Sequence, residues 1–191
     1  MKKLLIAMSV AGLMVGCSNE PKKVEVPTVQ PEVVAPASLN NEDMYVAYVD
    51  GRENVFYDAE LFVKFLEEGE TSFRKTYIGE GTNGMTLVYG LTKDDKKKST
   101  NPAEQMLKGE LKPAESFYAE VYNADHNRFY VFSAWESFDA YLKNSIDNFR
   151  YSDIAAGPKG ETVVYVAADE AAAKKIPVEA MAKFKATHGL K

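Results

Sequence analysis

Few residues in this 191-residue chain could do chemistry: one cysteine, two histidines and a pair of arginines in matching surroundings. Cys17 is the only thiol, so neither an intrachain disulfide nor a Cys-x-x-Cys centre can form. His126 falls in the turn-rich stretch Asn123–Asn127 and His188 three residues before Lys191. Neither position offers the enclosure that tunes an imidazole as acid or base, so both are expected in solvent. No His-Glu-x-x-His or Gly-x-Ser-x-Gly spacing occurs, and Glu67-Glu68-Gly69-Glu70 reads as the wet end of a helix. We assign no catalytic residue, no metal ligand and no cofactor. Arg74 and Arg150 are the more informative charges. Strand alternation sets Arg74 on a face with Thr76 and Ile78, and Arg150 with Ser152 and Ile154, both isoleucines being expected in the core. They suit rim ion pairs, to Glu60 and Glu136 or to Glu104 and Glu179, or else a joint anion or partner site facing a cleft between two units.

Gly79-Glu80-Gly81-Thr82-Asn83-Gly84 has the glycine spacing of a dinucleotide-binding loop. Such a loop must open a helix whose first amides hold the pyrophosphate, whereas Met85–Leu91 is rich in strand formers. A tight turn between strands is the consistent reading. Lys93-Asp94-Asp95-Lys96-Lys97-Lys98 is a mixed charge run expected in an exposed loop, where an anionic partner is the functional option. The net charge of −5 argues against a phosphate-neutralising surface, so no nucleic-acid partner is expected.

Lys2 and Lys3 precede the apolar run Leu4–Val15, too short to span a bilayer and typical of an export signal. Its end, Met14-Val15-Gly16-Cys17, resembles the lipobox of bacterial lipoproteins, with Met14 in place of the usual leucine. The resemblance implies a diacylglycerol thioether on Cys17, removal of residues 1–16, and anchoring to a membrane through acyl chains. Ser18, where the family's retention signal has Asp, implies the outer membrane; of its two sides, the periplasmic one is expected ahead of the cell surface. Residues 17–43, with Pro21, Pro27, Pro31 and Pro36, lack the apolar density for a core and read as a tether.

The remainder repeats itself. Phe73-Arg74 recurs as Phe149-Arg150, Gly81-x-x-Gly84 as Gly157-x-x-Gly160, and Thr86-x-Val88-Tyr89 as Thr162-x-Val164-Tyr165. The shift is the same throughout, and it carries Phe56 to Phe132, Glu60 to Glu136 and Phe62 to Phe138. One residue of slippage later, Pro102-x-Glu104-x-Met106 returns as Pro177-x-Glu179-x-Met181. We read residues 44–112 and 113–191 as tandem units.

Each unit reads as strand, strand, helix, strand, strand, helix. Asp50-Gly51 and Asn123–Asn127 are hairpin turns. Asp58 caps a helix with the stripe Leu61, Phe62, Phe65 and Leu66, closed by Gly69; Ser133, with Glu136 as its capping-box partner, caps one with Trp135, Phe138, Tyr141 and Leu142. Pro102 and Pro177 suit the first turns of two further helices. Over Met44–Lys183 this layout resembles the duplicated lipoproteins that deliver copper to nitrous-oxide reductase. Those bind metal through methionine and cysteine near the start of the mature domain. Here there is no second cysteine and Met44, Met85 and Met106 are scattered, so no copper ligand carries over.

The expected architecture is α+β: a tandem ββαββα duplication with antiparallel sheets, helices packed on one face and a pseudo-two-fold axis. The expected role is a non-enzymatic binding or scaffold module of the cell envelope, its partner a protein, a glycan or a small ligand. The alternative is a lipid-anchored enzyme or enzyme inhibitor with a cleft between the units. Cys17→Ser should abolish metabolic labelling with palmitate and leave the precursor uncleaved after Gly16; equal labelling of both forms would refute the lipobox reading.

Overall fold

The computed structural model describes residues 39–191, so the export signal, Cys17 and most of the tether lie outside the described residues. Strands β1 (Asp43–Val49) and β2 (Arg52–Phe56) form a hairpin through Asp50 and Gly51, both at positive φ (53° and 68°). That is the two-residue turn whose twist matches paired strands. In β1 Met44 and Val46 point to one face, Tyr45 and Ala47 to the other, and all four are buried. A strand apolar on both sides belongs in the middle of a covered sheet.

Helix α1 (Ala59–Glu68) follows, then β3 (Arg74–Tyr77) and β4 (Thr86–Gly90), which pair antiparallel, and α2 (Pro102–Leu107). The second half runs β5 (Tyr118–Asn123), β6 (Arg128–Phe132), α3 (Trp135–Asn144), β7 (Arg150–Asp153), β8 (Thr162–Val166), α4 (Glu170–Ala173) and α5 (Val178–Thr187). The fold is α+β, but the sheets are neither separate nor purely antiparallel. One eight-stranded sheet runs β3-β4-β2-β1-β5-β6-β8-β7, with parallel contacts at β1–β5, β2–β4 and β6–β8. The β2–β4 and β6–β8 contacts are parallel because each connection is a helix followed by an edge strand running the opposite way, so the chain re-enters the sheet in the direction of the strand it left.

Nor do the helices share one face. Phe62 and Phe65 of α1 join Phe184 of α5 in the core with Tyr45, Phe56 and Phe129, while Ala103 and Met106 of α2 join Phe138 of α3 in the core with Met44, Val55 and Phe132. A sheet whose central strands are apolar on both sides must be covered twice.

Capping follows the side chains. Asp58 accepts from the Leu61 amide at 2.9 Å and Asn101 from that of Glu104 at 2.9 Å, with Pro102 in the first turn of α2. The Ser133–Glu136 capping box is absent: the N-cap of α3 is Ala134, with no side-chain bond, and α3 ends on Ser145 at positive φ. Pro177 precedes α5 as its N-cap rather than lying inside it. The isoleucines assigned to the core are also outside it, Ile78 being 88% and Ile154 81% exposed. Each follows a four-residue edge strand, past the reach of any covering helix. No helix of the described residues is long and apolar enough to cross a membrane.

Gly90 lies where a Cβ would sit 2.4 Å from the buried ring of Phe56. Gly90→Ala should therefore destabilise the fold by about 1–3 kcal/mol, read as a lower urea midpoint at unchanged slope.

Candidate functional site

Arg74 and Arg150 do not meet. β3 and β7 are the two outermost strands, so seven inter-strand steps, roughly 34 Å, separate them. The shared cleft is overturned by this strand order. Arg150 closes a local ion pair with Asp147 at 2.7 Å, not with Glu60, Glu136, Glu104 or Glu179. Glu104 is instead held by Lys108 at 2.7 Å and by Lys75 at 3.8 Å, and Asn101 donates to it.

Arg74 makes no ion pair among the described residues. It lines an open cavity of about 780 Å³ between the end of α1 and the segment after β4, which brings Lys96 and Lys97 to the same opening. Lys96 lies with its ammonium 4.4 Å from the centre of the Phe73 ring. Glu68 and Glu70 also reach the rim, and Lys64 faces Glu68 at 3.8 Å. The charge run after β4 is thus divided. Asp95 is buried and accepts from the Tyr57 hydroxyl at 2.6 Å and from Thr92 at 3.1 Å, and it pairs with Lys98. Burial opposes the Asp95 charge, but Lys98, Tyr57 and Thr92 together outweigh it and hold its pKa below the ordinary aspartate value. With Asp95 anchored inward, Lys96 and Lys97 face the Arg74 cavity. Three cations at one opening can hold a carboxylate or phosphate, the guanidinium supplying a planar two-toothed fork.

The glycine loop is no anion cradle. Gly81–Gly84 leads through a single 3₁₀ turn into β4, and the Glu53 carboxylate accepts from the Thr82 amide at 2.6 Å. A fixed anion already takes the amide that a phosphate would need.

His126 is exposed at the β5–β6 tip, as expected, but His188 is not in solvent. Its side chain is 1% exposed, with Nε2 2.7 Å from Oε2 of Glu120, itself 0% exposed. Tyr118 donates to Glu120 Oε1 at 2.7 Å, and the imidazole packs against Phe184, Phe129 and Phe62 at centroid distances of 4.5, 5.0 and 6.2 Å. An ionised Glu120 requires the proton on Nε2. Burial, then the Glu120 charge, push the Tyr118 hydroxyl far above its ordinary range, so it remains a donor. Nearby, Tyr45 donates to Asp43 at 3.0 Å, and burial raises the Asp43 carboxyl. The signal for this centre was Glu120 itself, a carboxylate set between the apolar Ala119 and Val121 of a central strand. Such a charge needs a partner. The Tyr118–Glu120–His188 set resembles acid–base machinery in composition, but it is closed to substrate and fastens α5 onto the sheet.

The boundary between the two halves is occupied by β1–β5 pairing, six residues in register. At one end lies a depression of about 280 Å³ whose rim includes Tyr48, Asp125, His126, Tyr130 and Asp147, with no arginine. Among the described residues no group of three or more His, Cys, Asp or Glu is placed to hold a metal ion. No family model matches the chain, and no curated protein or solved structure is similar to it.

Removing Glu120 strips both His188 and Tyr118 of their partner, and removing His188 leaves one buried Glu120 oxygen without one. Glu120→Ala and His188→Ala should each cost about 3–5 kcal/mol of unfolding free energy, whereas Glu120→Val with His188→Leu should cost much less than the two losses together. Chemical denaturation of the three variants checks this, and additive losses would refute the clamp.

Proposed function

We propose that this chain is a lipid-anchored, non-enzymatic binding module of the cell envelope, held at the outer membrane through Cys17, that takes an anionic group into the cavity beside Arg74. The observation that carries the binding reading is an arginine without an ion-pair partner at an opening it shares with Lys96 and Lys97, in a protein whose net charge is −5. A local positive field on an acidic surface draws anions selectively and disfavours close approach elsewhere. The ligand class is a carboxylate- or phosphate-bearing molecule. The anchor rests on the lipobox resemblance of residues 14–17 and on the proline-containing stretch that follows.

We further propose that the folded part is a tandem ββαββα duplication about a pseudo-two-fold axis. Register supports this, since Arg52 faces Thr86 as Arg128 faces Thr162, and Arg74 faces Gly90 as Arg150 faces Val166. Strand order supports it too, reading β3-β4-β2-β1 from one edge and β7-β8-β6-β5 from the other. Because β1 and β5 are parallel, the axis lies in the sheet plane along the strands and exchanges its faces. That accounts for α1 and α3 lying on opposite sides. On this reading the two units have diverged at the arginines, Arg150 being paired with Asp147 and Arg74 left open.

The test is thermal unfolding of the full chain with pyrophosphate and, separately, with citrate. At ligand a hundredfold above Kd, mass action should add about 2.7 kcal/mol and raise Tm by roughly 5–10 °C. Arg74→Ala should remove the shift and Arg150→Ala should keep it. No shift with either anion, or a shift indifferent to Arg74, would overturn the reading.

A further inference from the structure

Tyr57 and Leu91 are buried in the first half of the chain, in the core that also holds Ala103 and Met106 of α2, and Tyr57 donates its hydroxyl to Asp95 at 2.6 Å. Burial and that bond push the Tyr57 hydroxyl up to about 12, so it stays a neutral donor. Thr92 and Lys98 complete the bonds to Asp95, and Lys75 reaches the Ser99 carbonyl from the side. This place in the first half is thus packed with a ring, an isobutyl group and a carboxylate paired with a lysine.

Carried along the sequence repeat, the same positions in the second half are Ser133 for Tyr57, Ala167 for Leu91, Ala168 for Thr92 and Ala171 for Asp95. The floor is unchanged in kind, Val131 and Tyr165 standing where Val55 and Tyr89 stand. The wall differs in construction. Instead of a loop gathered round a buried aspartate, α4 presents alanines, its first turn fixed by Asp169 accepting from the Ala172 amide at 2.8 Å. What results is an open, largely apolar cavity of about 540 Å³. Its volume falls in the range of small-molecule sites. Lys175 lies on its rim and makes no ion pair among the described residues, while its neighbour Lys174 is occupied by Glu170 at 2.8 Å.

We propose that this crevice binds a small aromatic carboxylate. The ring takes the place that Tyr57 and Leu91 fill in the first half, against Val131, Tyr151 and Tyr165, and the carboxylate, replacing that of Asp95, meets Lys175. The residue correspondence rests on the duplication proposed above, but the site is separate from the Arg74 cavity and stands or falls without it.

Titration of the full chain in detergent with 4-fluorophenylacetate, followed by fluorine NMR, tests this. Saturable binding is expected. Ser133→Tyr, which restores the side chain of the first half, should weaken it at least tenfold, and Lys175→Ala should weaken it severalfold. Saturating pyrophosphate, directed to the Arg74 cavity, should leave it unchanged, which separates this site from the other. Should Ser133→Tyr fail to fold, Ala171→Leu obstructs the same opening and should give the same loss. Absence of saturable binding, binding untouched by the filling variants, or equal binding of uncharged 4-fluorotoluene would overturn the assignment.

Discussion

β1 and β5 lie parallel, side by side, over six residues in register, and the remaining architecture follows from that seam. Strands joined this way make the two halves one sheet, so there is no groove between them for a ligand. The seam also sets the cores. Val46 and Val121 on one side, Tyr45 and Ala47 on the other, require cover above and below, and each half lends a helix to each layer. Neither half could shed the other without baring apolar surface on both faces of its inner strand, so the described residues act as one cooperative body.

The same seam explains why a carboxylate can be buried so deeply. Glu120 faces Val131 across the β5–β6 hairpin and Tyr45 across the seam, so neighbouring strands enclose it on both sides. With Tyr118 and His188 supplying one bond to each oxygen, the carboxyl group is satisfied and no buried side-chain polar atom among the described residues is left without a partner. Such a pair adds little net stability relative to an apolar contact, because desolvation offsets attraction. Its effect is directional: it fixes where the end of α5 must sit.

Local features were legible in the sequence. Asp50-Gly51, Asp58 with Gly69, Pro102 and the aromatic stripes each carry their own short-range physics, and both hairpins, α1 and the first turn of α2 formed as read, whereas the Ser133 cap and the Pro177 first turn did not and α4 went unread. Long-range features were not. The register of β1 against β5 depends on residues about 75 positions apart, and alternation alone does not tell a strand covered on one face from one covered on both. His188 looked solvated because distance along the chain says nothing about where a helix end docks, and Ile78 looked buried because hydrophobicity cannot show that its strand is an edge of four residues. The candidate site was half visible. Arg74 and the lysine run stood out separately, and only the fold brought them to one opening.

Glu120 enters the growing chain 68 residues before the imidazole that bonds to it. During synthesis or passage through a pore the central strand can be laid down, and the sheet nearly assembled, while that carboxylate still has no counterpart. A product stopped short of α5 would keep a half-satisfied carboxyl group in the middle of its core and remain loose enough for proteases to open. The pair thus lets the fold verify its own length, for closure waits on a residue that only a chain extended through α5 can deliver.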